Sequence, residues 1–153
     1  MKKIIKTNSD LETIELGEKL GKLIKDENLV ILLDGGLAAG KTTFTKGIAK
    51  GLGINEIIKS PTFTIMKTYD GKYNKLFHLD LYRLTETGMD FDLEDYILNE
   101  DGIVVIEWPN QVRDLLPDKY ILINIINNYE NRIFEISSKD YKEVIDKLWR
   151  HYF

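Results

Sequence analysis

The eight residues Gly35-Gly36-Leu37-Ala38-Ala39-Gly40-Lys41-Thr42 carry the clearest chemistry in the chain. They satisfy G-x-x-x-x-G-K-S/T, a pattern in which successive backbone N–H groups and the positive end of the next helix wrap a phosphate chain. Gly35 and Gly40 let the backbone turn tightly around an anion. The Lys41 ammonium would lie between the outer phosphates, the Thr42 hydroxyl suits a magnesium ligand, and Thr43 adds a phosphate contact. The motif confirms itself only where it joins a buried strand to a helix. Here it lies between the apolar run 29–33 and the helix-patterned run 41–52. The expected ligand is ATP, with GTP the second choice.

Magnesium needs oxygen ligands beyond Thr42 and the phosphates, and in this class of fold a carboxylate at the end of a buried strand usually supplies one. Two qualify: Glu107, directly after the apolar run 103–106, and Asp80, within His78-Leu79-Asp80-Leu81-Tyr82-Arg83. On residue type alone each is equally a strand-end carboxylate facing solvent. His78 reads as a surface residue of one strand face, and Arg83 either shares that face or pairs with Asp80. Ser60-Pro61-Thr62-Phe63 reads, from its residues, as a proline turn. Trp108 stands where the strand should have ended, and is placed on a functional surface. Arg132 suits a cross-strand salt bridge.

These residues need a frame to bring them together. N-cap candidates at 7–10 precede Leu11, Ile14, Leu16, Leu20 and Ile24 at helical spacing, giving a first helix that fades near residue 27. The run 29–33 is apolar on both faces, the mark of a central strand covered on each side. A helix over 41–52 stops at Gly51 and Gly53. Strands over 64–69 and 75–82 join around Asp70-Gly71, a dipeptide that favours a tight hairpin. A short helix over 93–98, a buried strand over 103–106, a strand pair over 120–126 and 132–136 around Asn127-Asn128, and a helix over 139–150 complete the chain. The fold class is α/β: a three-layered, mixed but mostly parallel sheet with helices on both faces and a β-hairpin, as in P-loop NTPases.

The 153 residues, 43% hydrophobic and 30% charged, suit one domain over 1–153 that buries a core without disulfides or structural metals. Cysteine is absent, which excludes thiolate metal sites and cysteine nucleophiles. A net charge of -4 argues against a broad nucleic-acid surface. The first residues never form the apolar core of a signal peptide, and no apolar stretch approaches the length of a membrane span. A cytoplasmic location is expected.

The order and separation of GGLAAGKTTFTKGIAKGLG, SPTF, HLDLYRL and IEW go beyond a generic phosphate loop. In these motifs the chain resembles the TsaE (YjeE) family over nearly its whole length. The resemblance implies a bacterial P-loop ATPase that acts with TsaB and TsaD to make threonylcarbamoyladenosine at A37 of tRNA, with tRNA contacted through the complex. It implies that Glu107 belongs to the metal shell and that Asp80 binds metal or positions water near the γ-phosphate, the two roles being exchangeable. It also implies that Ser60-Pro61-Thr62-Phe63 is a switch loop whose Thr62 hydroxyl reaches the γ-phosphate, that Arg132 approaches the nucleotide, and that adenine lies near residues 7–11. Two positions depart from the family loop G-D-L-G-A-G-K-T: Gly36 replaces the acidic residue and Ala38 a glycine. Phosphate binding should survive both, while hydrolysis is less secure.

The leading expectation is therefore a magnesium-dependent ATPase, slow alone because its arginines are limited to Arg83, Arg113, Arg132 and Arg150 and none is an evident arginine finger. A nucleotide-dependent binding switch with incidental hydrolysis is the alternative. A small-molecule kinase is disfavoured by the scarcity of arginines for an acceptor phosphate, and a GTPase by the lack of N-K-x-D, since Asn74-Lys75-Leu76-Phe77 has no aspartate.

Overall fold

Branched apolar side chains in runs of five or six, punctuated by glycine, build a seven-stranded sheet in the order β1-β7-β6-β2-β5-β4-β3. The strands are β1 (Lys2–Thr7), β2 (Leu29–Asp34), β3 (Met66–Asp70), β4 (Lys75–Asp80), β5 (Ile103–Glu107), β6 (Ile121–Asn127) and β7 (Arg132–Ser137). The helices are α1 (Asp10–Ile24), α2 (Lys41–Gly51) and α3 (Lys142–Arg150). This computed structural model describes residues 2–61, 65–82, 95, 97 and 101–153. Thr62, Phe63 and Arg83 lie outside them, as does most of the helix expected over 93–98, of which Asp95 and Ile97 are described and helical.

The four central strands β6, β2, β5 and β4 are mutually parallel. The hairpins β3–β4 and β6–β7 and the added strand β1 pair antiparallel. Both hairpins form where their turn residues predict. β1 was not anticipated: its buried residues alternate only at Ile5 and Thr7, and its register with β7 is fixed by a partner more than a hundred residues away.

β2 is buried from Leu29 to Leu33 and divides its side chains between two cores. Ile31 and Leu33 join Val105, Ile123 and Phe134 beneath α1, α2 and α3. Val30 and Leu32 join Leu79, Val104 and Ile106 on the opposite face, covered by Ile97 and by Val112 of a 3-10 segment, Pro109–Leu115, that periodicity did not signal. Ser9 caps α1, its Oγ accepting from the Glu12 N–H at 3.1 Å, and the helix ends at Ile24, the last residue of its apolar pattern and short of the expected fade near residue 27. Among the described residues, no helix is long and apolar enough to cross a membrane.

α1 and α2 meet through glycine. A Cβ on Gly47 would fall 2.2 Å from the Ile14 carbonyl oxygen, and one on Gly17 would fall 2.4 Å from that of Phe44. The two backbones are in contact, and α2, the helix that opens at Lys41, is held against α1 along its length. Overpacking of this kind costs about 1–3 kcal/mol, so Gly47→Ala should lower the free energy of unfolding by at least that range in urea titrations. Gly36→Ala, with nothing within 4 Å of its added methyl, should change it by less than about 0.5 kcal/mol, as surface substitutions do.

Candidate functional site

Because β2, β4 and β5 are parallel neighbours, their carboxyl ends open onto one edge of the sheet, where ligands of open α/β sheets bind. Residues 35–40 bridge β2 to α2 at that edge. Gly35 has no room for a side chain, since a Cβ would lie 2.7 Å from the Ile125 carbonyl oxygen. Ala38 adopts φ 59° and Gly40 φ 110°. The bend is closed by the Ala39 N–H donating to the Gly36 carbonyl at 3.2 Å and by Asn127 Nδ2 donating to the Ala38 carbonyl at 3.2 Å. Leu37 is exposed at the tip and Ala39 is buried. Gly40 offers no side chain to cap α2 and the first turn has no acidic residue, so the amides there and the helix dipole face outward uncompensated.

Lys41 is buried at this mouth, with Nζ donating to the carbonyls of Gly35 at 2.7 Å and Gly36 at 3.1 Å. The same ammonium lies 3.9 Å from the centroid of the Trp108 ring. Desolvation by burial pulls its pKa below the ordinary lysine value, against the opposing pull of Glu107, Asp80 and Asp34. Trp108 holds φ 60° just before Pro109, a left-handed backbone that costs of order 1–3 kcal/mol in a non-glycine residue. Its ring contacts offset that cost, since besides Lys41 it packs on Tyr82 at 4.8 Å. Trp108 thus joins the second core and walls the cleft at once.

The cleft, about 410 Å³, is lined by residues 37–43 together with Ser60, Asp80, Tyr82, Glu107, Trp108 and Arg132. Asp80 and Glu107 are register partners at the ends of β4 and β5, so the strand pairing itself sets the carboxylates side by side. Asp80 accepts from Ser60 Oγ at 2.7 Å and from the Tyr82 N–H at 3.1 Å. Glu107 is only 2% exposed, and its Oε2 lies 2.5 Å from His78 Nε2.

His78 is therefore no surface residue: it is fully buried on the α2 face of the sheet. The period-2 alternation of His78 with Asp80 was a usable sign, since residues two apart on a strand share a face. What concealed its role was the partner, which comes from another strand. Ser60 and Tyr82 also line the cleft without having been given a task, although both sit in the motifs already quoted.

Arg132 is in the cleft, but its ion pair is not cross-strand. Nη1 lies 2.7 Å from Asp10 Oδ1 at the start of α1, and it donates to Thr13 Oγ1 at 3.4 Å, whereas its register partners are Thr7 and Asn127. Arg132 also borders a second hollow of about 290 Å³, formed by Thr7, Asn8, Ser9, Asp10 and the β6–β7 turn.

Thr42, Thr43, Asp80 and Glu107 share one cleft, with Thr42 on the first turn of α2. Among the described residues, no group of three or more His, Cys, Asp or Glu side chains could hold a metal unaided. One hydroxyl with one or two carboxylates instead suits magnesium, which is bound by few protein groups together with substrate phosphates and water.

A sequence model of the family described as threonylcarbamoyl adenosine biosynthesis protein TsaE matches residues 7–134. The chain belongs to the TsaE family. It is 39% identical over 125 residues to the tRNA threonylcarbamoyladenosine biosynthesis protein TsaE of Bacillus subtilis, spanning 80% of this chain and 78% of that one. To the Treponema pallidum protein of the same name it is 41% identical over 120 residues, spanning 78% and 87%. The crystal structure of Bacillus subtilis YdiB superposes with a TM-score of 0.82 at 31% identity, covering 100% of this chain and 97% of that one. The stretch matched to the TsaE family holds the glycine-rich loop, both carboxylates and Arg132, while α3 lies beyond it.

Ala38 stands in a left-handed conformation that costs a non-glycine residue about 1–2 kcal/mol. Ala38→Gly should therefore raise stability by up to about 1 kcal/mol, net of glycine's greater unfolded entropy, as a higher urea midpoint with unchanged slope. For Lys41, the unfolded chain still holds a proton between the lowered native pKa and 10.5 that the native chain has lost. Raising pH through that window should thus favour the native state. Parallel urea titrations should show wild type gaining stability relative to Lys41→Met as pH rises toward that limit.

Proposed function

We propose that the chain is a magnesium-dependent ATP-binding protein and ATPase serving threonylcarbamoyladenosine modification of tRNA at A37, in company with TsaB and TsaD. One juxtaposition carries the nucleotide reading: Lys41, Thr42, Asp80 and Glu107 converge on a cleft whose floor is a glycine-rich turn and an uncapped helix start. The tRNA reading rests on membership of the TsaE family.

The loop amides and Lys41 bind the outer phosphates, with Lys41 exchanging the Gly35 and Gly36 carbonyls for phosphate oxygens. Thr42 and Glu107 hold magnesium, which when bound neutralises charge on the phosphates. Asp80, oriented by Ser60 and the Tyr82 N–H, positions the attacking water, and Thr62 contributes a hydroxyl to the γ-phosphate. Preorganised donors of this kind stabilise the charge that develops as water attacks. The purine lies in the hollow beside Arg132, near residues 7–11. Among the described residues, Arg132 is engaged with Asp10, Arg113 with Asn110 and Arg150 with Asp146. Turnover by the isolated chain is slow, and a partner completes or triggers the site.

A binding switch with incidental hydrolysis is the second reading. It is favoured by the Ser60–Asp80 hydrogen bond, which ties the loop after α2 to a cleft carboxylate.

Trp108, in contact with Lys41, is the reporter for the test. ATP with magnesium should change its fluorescence saturably and GTP more weakly. Lys41→Ala should weaken ATP about 10- to 100-fold, the worth of a charge-assisted contact of about 1.5–3 kcal/mol. Hydrolysis should rise when TsaB and TsaD are added; binding without any partner-stimulated turnover would favour the switch. A folded protein that binds no nucleoside triphosphate would end both readings.

A further inference from the structure

His78 has no task in the function proposed above, yet it is 0% exposed and contacts a cleft carboxylate. Its Nδ1 is buried without a hydrogen-bond partner. A proton on Nδ1 would be a donor left unsatisfied in the interior, at a cost of about 1–3 kcal/mol. The bonded tautomer therefore carries its proton on Nε2 and donates it to Glu107 Oε2.

The strand register explains the placement. His78 pairs with Val105 and Asp80 with Glu107, so the imidazole sits one pleat inward from the carboxylates, on the face that carries α2. Glu107 thus has one oxygen committed to the interior, while its residue lines the cleft with Lys41 and Thr42. Without that donor, a carboxylate 2% exposed would lose the contact that fixes its orientation.

We infer that His78 is a positioning residue: its Nε2–H fixes the Glu107 carboxylate so that the other oxygen faces a divalent cation brought in with the nucleotide phosphates. The inference deepens the proposed function and rests on Glu107 serving the metal. Donors placed behind a ligating carboxylate typically govern metal affinity by 10- to 100-fold.

Three variants separate this role from packing. His78→Leu fills the volume without a donor, His78→Gln can place an amide N–H near the Nε2 position, and His78→Asn is too short to do so. ATP binding is read from Trp108 fluorescence in EDTA and across a magnesium titration, with melting temperature and near-ultraviolet circular dichroism reporting the fold. In folded His78→Leu, metal-free ATP affinity should stay within about twofold of wild type, while the magnesium midpoint rises about tenfold or more. His78→Gln should restore most of that midpoint and His78→Asn should not; if His78→Leu does not fold, this pair decides.

The chain has two histidines, so ring-proton NMR against His151→Gln should show one protected Nε2–H that shifts in Glu107→Gln. A wild-type magnesium midpoint in folded His78→Leu overturns the inference, as does equal weakening with and without metal, or an Nδ1-protonated ring. Glu107→Ala distinguishes the failures. If it leaves the midpoint unchanged, the metal role of Glu107 falls too; if it raises the midpoint while His78→Leu does not, this inference falls alone.

Discussion

A strand covered on both faces can present polar groups only at its ends, and that constraint organises this protein. β2 and β5 are apolar from their first residue until Asp34 and Glu107. With β4 parallel to β5, the polar termini have one shared outlet at the carboxyl edge of the sheet. The glycine-rich loop, Asp80 and Glu107 meet there because hydrogen-bond registry leaves them nowhere else to go. Of the antiparallel strands at the flanks, β7 starts at that edge and adds Arg132 to it.

At the outlet, electrostatics is arranged around one buried ammonium. Lys41 is desolvated, held by two loop carbonyls and covered by an indole, and three carboxylates act on it from the strand ends. Each contact is of a kind that an anion with several oxygens can replace. Asp80 and Glu107 differ although they are register partners. Asp80 is half-buried and bonded to Ser60 and a backbone amide, whereas Glu107 is enclosed and bonded to His78. The two inputs to the site thus differ in kind, one from a loop and one from the sheet interior.

The glycine-rich loop, the buried runs of β2 and β5 and both hairpin turns were legible in the sequence because each is set by residues within a few positions of one another. β1 was not, because its pattern is weak and its partner β7 lies at the far end of the chain. His78 was misplaced for the same reason: a histidine among alternating leucines looks exposed until the strand bearing Glu107 is set beside it. Arg132 lines the cleft, but its partner Asp10 belongs to a helix start that no local rule connects to β7. Trp108 was expected at a functional surface, while its left-handed backbone follows from packing that spacing does not encode.

The close approach of α1 and α2 has a consequence for how such a chain can vary over generations. Gly17, Gly21, Gly47 and Gly51 are each crowded by main-chain atoms of the opposite helix. A side-chain clash can be answered by trimming a neighbour, but every residue type brings the same main chain. No second substitution can make room there, so a chain that changes any of these glycines must also change the aim of the helix that begins at Lys41.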